Sequence, residues 1–126
     1  MQRDTVIRVV LGVISGFGMA LAAFLLIAPD VGPPPLLPFQ DKLFHAVAFA
    51  CLTGPAVLVL PRQYLWFWVA HMVALGGGIE VAQAMGDEGR SGDVADFVAD
   101  CVGIVAALGV GRWIRGRFEA GAVTGR

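Results

Sequence analysis

The chain has 126 residues, of which 57% are hydrophobic and only 15% charged, and its mean hydropathy is +0.75. That balance lies well outside the soluble average and reads as one small membrane domain covering residues 1–126. The net charge of −1, with no basic stripe interleaved with aromatics, gives no ground for a nucleic-acid partner.

Four apolar stretches are each near the roughly 20 residues needed to cross about 30 Å of hydrocarbon. They predict an all-α bundle of four transmembrane helices, at about 9–28, 43–60, 64–85 and 94–114. The first carries Gly12, Gly16, Ala20 and Ala23 on one face, a small-residue stripe suited to close helix packing, and self-association through it stays open. Ala28-Pro29-Asp30 is a poor cleavage site, so this stretch is expected to be kept as a span. Pro29 and Pro33-Pro34-Pro35 end it and force an extended loop.

Asp41, Lys42 and His45 open the second span, and the four-residue spacing of Asp41 and His45 puts them on a shared face. Gly54-Pro55 predicts a kink within it. Pro61-Arg62-Gln63 turns the chain into the third span, whose Tyr64, Trp66, Phe67 and Trp68 read as an interfacial aromatic belt. His71 lies deeper and is expected to be a polar core residue, because no acid stands one helical turn away. Gly76, Glu80 and Gln83 form a stripe on one face, with Gly76 permitting a close backbone approach. A charged loop bearing Arg90 leads to the fourth span, where Asp93, Asp96, Asp100, Gly103 and Ala107 fall near one face. The tail after it, with Arg112, Arg115 and Arg117, reads as a short, partly disordered cytoplasmic end. Cys51 and Cys101 have neither CxxC nor metal spacing and read as buried, inert thiols.

Four spans put both termini on one side together with Arg62. Seven of the nine basic residues then share that side, and Lys42 and Arg90 lie opposite, which fits cytoplasmic termini in a bacterial inner membrane. Eight of the ten acids fall on the outer loops and the adjoining helix ends. Ionisable groups within apolar spans are costly and mark function by default. Asp41, Lys42, His45, Glu80, Gln83, Arg90, Asp96 and Asp100 are therefore the candidate site, expected to converge near the outer face.

Those residues also carry a resemblance. Asp41-Lys42-x-x-His45-x-x-x-Phe49, then Glu80-x-x-Gln83, then Arg90-x5-Asp96-x6-Gly103 occur in the order found in the VanZ-like membrane protein family, over about residues 5–115. Two positions depart from the family pattern: Asp100 stands where Asn is usual, and Ala46 where Phe is frequent. The resemblance implies a small multi-span envelope protein, the family being named for an accessory factor in glycopeptide (teicoplanin) resistance.

Four acids, Asp41, Glu80, Asp96 and Asp100, against the fixed cations Lys42 and Arg90 cannot all ionise cheaply in a half-buried place. One of them, Glu80 or Asp100, is expected to hold a proton. Arg90 suits two-pronged contact with a carboxylate or a phosphate. Three functions remain open at this level. The first is binding or translocation of an anionic envelope ligand, such as a lipid-linked or peptidoglycan-related precursor, held by Arg90, Lys42 and His45 among membrane lipids. The second is an intramembrane enzyme using His45 and Glu80, with a metal on His45, Asp41 and Asp96. The third is a structural, partner-binding protein whose satisfied polar network fixes helix register and anchors the outer loops. No motif of tight metal-ligand spacing occurs, and no cofactor is expected.

Overall fold

The computed structural model describes residues 36–86 and 92–124, together with 5, 9, 12, 13, 16 and 18–20. Three long helices occupy the described part: α1 (Gln40–Val59), α2 (Arg62–Met85) and α3 (Val94–Thr124). All three are long and apolar enough to cross a membrane, α3 over Val94–Phe118. The first sequence-predicted span falls largely outside the described residues. Those of it that are described are helical, and Met19 packs against the core, with Gly18 in contact range of Leu52.

The helix limits have local causes. Pro38 stands just before α1, and the Gln40 side chain accepts the Leu36 backbone N–H at 2.8 Å, so the helix begins three residues before the apolar run predicts. Pro55 sits inside α1 without ending it, and Pro61 caps the start of α2. Asp93 caps α3 by accepting the Ala95 N–H at 2.8 Å. The expected short, disordered tail after residue 114 is instead a continuation of α3 to Thr124. Nothing between Ile114 and Thr124 breaks a helix except isolated glycines, so only hydropathy stops there.

The most extensive packing joins α1 to α3, which run parallel, with α2 antiparallel to both. Gly103 makes the closest approach. A Cβ there would collide with the Ala46 carbonyl, so the two backbones touch with no side chain between them. Ala107 and Gly111 continue this seam at four-residue spacing, Gly111 against Val57. Phe49, Leu52, Met72, Ile79 and Ile104 fill the core between the three helices. At most a third of each span is buried, and Val47, Phe67, Val81, Val98 and Val105 lie on the outer surface. Such a surface suits lipid and would be an aggregation liability in water.

Two further expectations are corrected. His71 is exposed on the outer face of α2, its ring 6.3 Å from that of Trp68. Cys51 is exposed and Cys101 half-buried, so the two thiols are not core residues. Both misreadings come from the same cause: in a span with a lipid-facing side, an apolar neighbourhood in sequence does not imply burial in protein.

Candidate functional site

The N-terminal ends of α1 and α3 and the C-terminal end of α2 meet at one end of the bundle, and the polar residues collect there in two layers. Lys42 forms the outer layer. Its Nζ donates to Asp93 Oδ2 at 2.8 Å, Asp96 Oδ1 at 2.9 Å and Asp41 Oδ2 at 3.2 Å. Three donors thus meet three carboxylates, which uses the full capacity of an ammonium. Asp41 is the most exposed of the three, and Asp96 is buried. The Lys42 ammonium, helped by the Ala95 N–H, holds the Asp93 carboxyl below the usual carboxylate range.

The inner layer lies three to four residues further in, roughly 4.5–6 Å along the helices at 1.5 Å per residue. There His45 Nδ1 is 2.9 Å from Asp100 Oδ1, both side chains almost fully buried. With Asp100 ionised, the shared proton sits on Nδ1, and Nε2 keeps its lone pair. Glu80 completes this layer. One nitrogen of His45 and one oxygen from each of Glu80 and Asp100 lie within 4.8 Å of one another. The Asp93 N–H donates to Glu80 Oε2 at 2.7 Å, which ties the start of α3 to α2. Glycine makes room for the arrangement: a Cβ at Gly76 would lie 2.7 Å from Asp100 Oδ2.

Satisfaction is incomplete. Asp100 Oδ2 and Glu80 Oε1 are buried and make no hydrogen bond among the described residues. Most buried polar atoms in folded proteins are paired, so two unpaired carboxylate oxygens in one cluster call for an explanation.

The structure therefore brings Asp41, Lys42, His45, Glu80, Asp96 and Asp100 to one end of the bundle. It also turns Gln83 inward one turn from Glu80. Arg90 lies outside the described residues. Asp41 and Asp96, grouped with His45 as metal ligands on sequence grounds, are bound to Lys42 instead, and Glu80 and Asp100 stand with His45. Asp93 is the site residue that the pattern under-weighted. Its position just before an apolar run marks it as a helix cap, and its second oxygen also takes Lys42.

At the opposite end Arg115 donates to the Val57 and Leu60 carbonyls at 3.4 and 3.1 Å, closing the C-terminus of α1. Arg112 and Arg117 stand over the rings of Trp66 and Trp113. The bundle is thus acid-rich at one end and basic and aromatic at the other. Comparison of the chain with family models, with curated proteins and with solved structures returns no match.

Proposed function

We propose that the chain is a VanZ-like multi-pass protein of the bacterial cytoplasmic membrane, with both termini cytoplasmic. Its polar end opens outward and binds or translocates the headgroup of an anionic envelope ligand, lipid-linked or peptidoglycan-related. The ordered motif set supports the family. The position of Arg62, Arg112, Arg115 and Arg117 at the end of the bundle away from Lys42 supports the orientation.

The observation that carries the ligand reading is the polar cluster at one end of the bundle, in which two buried carboxylate oxygens have no donor among the described residues. A network that served only to fix helix register gains most when every buried carboxylate oxygen has a donor. The described cluster is rich in acid, so the ligand must bring donors as well as negative charge. A peptidoglycan-related headgroup does both. Its phosphate oxygens go to Arg90, and its N–H and O–H groups to the carboxylates of the polar end. A second reading has its own observation: His45 is oriented by Asp100 with Glu80 close by, the geometry of a base and its positioning carboxylate in an acid–base enzyme.

The test is a titration of the protein in nanodiscs with a lipid-linked diphosphate precursor bearing sugar and peptide. Saturable binding is expected, above that to phosphatidylglycerol alone. Arg90→Lys keeps the charge but loses the planar two-pronged contact, and should weaken binding at least about tenfold, or 1.4 kcal/mol. Equal signal in nanodiscs without precursor would remove the ligand reading. Turnover of the precursor, lost in His45→Gln, would replace it with the enzyme.

A further inference from the structure

We infer that His45, Glu80 and Asp100 form a binding site for one divalent transition-metal ion of the Zn2+ or Mn2+ kind. The inference concerns the same end of the bundle but does not depend on which headgroup that end takes.

Geometry comes first. Ligand atoms at about 2.0–2.2 Å from one ion are about 3–3.5 Å from each other. His45 Nδ1 and Asp100 Oδ1, at 2.9 Å, already have nearly that spacing, the ion displacing the proton they share, and one ligand atom from each of the three residues lies within 4.8 Å of the others. Small side-chain rotations close the remainder.

The second observation is independent of the clustering. Asp100 is fully buried and its Oδ2 has no partner among the described residues, and Glu80, itself half-buried, has its Oε1 buried and equally without a partner among them. A buried acceptor left unpaired costs about 1–3 kcal/mol, more when charged. Glu80 is pinned through its other oxygen by the Asp93 amide, a group outside the ligand set. One oxygen fixed and one lone pair presented is how outer partners orient metal-binding carboxylates.

Charge points the same way. Lys42, the nearest described fixed cation, is committed to three aspartates in the outer layer. The inner layer holds two carboxylates with only an imidazole beside them, and a dication supplies the missing positive charge. An imidazole with two carboxylates and no thiol selects Zn2+, Mn2+ or Fe2+ over Cu+. Three protein ligands leave at least one position open to water or a phosphate oxygen.

The test uses the tag-free full chain in detergent, stripped by chelator and dialysed against Mn2+ alone or Zn2+ alone. About one ion per chain is expected, and pulsed EPR of the Mn2+ form should show 14N coupling from an imidazole. Glu80→Gln and Asp100→Asn, each checked for unchanged helical content without metal, should weaken binding at least about tenfold, since even outer-shell partners typically cost about 10–100-fold. Asp41→Asn and His71→Ala should bind as the unchanged chain does. No ion above the detergent blank in the unchanged protein would overturn the inference. So would undiminished binding in both Glu80→Gln and Asp100→Asn, or a nitrogen signal that disappears with His71→Ala.

Discussion

Burying an imidazole and a carboxylate between two helices desolvates both, and only their mutual hydrogen bond offsets that cost. His45 and Asp100 meet this condition at 2.9 Å. Removing His45 alone leaves Asp100 buried without its partner, so His45→Ala should destabilise the protein by about 3–5 kcal/mol in chelator. Adding Asp100→Ala should recover much of that loss, and thermal unfolding of the two variants and the double variant checks it. Asp93 gives a prediction of different form. Its folded pKa lies below the unfolded value of about 3.9, because of the Lys42 ammonium. The stabilisation it adds is therefore full above that unfolded value and is lost as pH falls through the folded one. The difference in unfolding midpoint between the unchanged chain and Asp93→Asn should stay constant from about pH 5 to 8 and shrink below about pH 4. Asn keeps the Ala95 cap, so the comparison isolates the charge, and a constant difference down to pH 2 would show that the carboxylate's charge is not what stabilises the protein there. Sequence spacing located these residues but not their partners. Lys42 takes three aspartates and His45 takes Asp100 because the α1–α3 register, set elsewhere on the helices, decides which acids reach which base.

That register belongs to the element scale. Gly103 against the Ala46 carbonyl fixes how α1 and α3 slide on each other, and Gly76 leaves space for the Asp100 carboxyl. Gly103→Val forces a branched side chain against backbone that cannot swing away, so it should cost about 3 kcal/mol, the upper end of what overpacking typically costs. Gly109→Ala, with nothing within 4 Å of the added methyl, should be neutral or slightly stabilising. Thermal unfolding in detergent separates the two. Equal effects would mean that the seam is not a close backbone contact. Three of the helices were legible from apolar length, with ends within a few residues. α3 was the exception, because its last ten residues are helical without being apolar. The glycine seam was legible as small residues on one face. Which helix it faced was not, since the stripe in the first span offered an equally good match.

For the whole molecule, apolar surface and charge distribution carry the account. The outer faces of α1, α2 and α3 are apolar, as lipid requires, and the two ends differ sharply in charge. Hydropathy made the membrane class legible. It could not tell the lipid-facing side of a span from the protein-facing side, which is why His71 and Cys51 were misread. The central claim is that the polar end of the bundle opens to the outside of the cytoplasmic membrane. Impermeant thiol labelling of intact cells tests it most directly, in a background with Cys51→Ala and Cys101→Ala. Leu36→Cys lies exposed just before α1 at the polar end, and Gln63→Cys lies exposed at the start of α2 at the basic end. The account predicts labelling of Leu36→Cys from outside, and labelling of Gln63→Cys only after the membrane is permeabilised. Labelling of Gln63→Cys in intact cells, with Leu36→Cys protected, would place the polar site in the cytoplasm and contradict it.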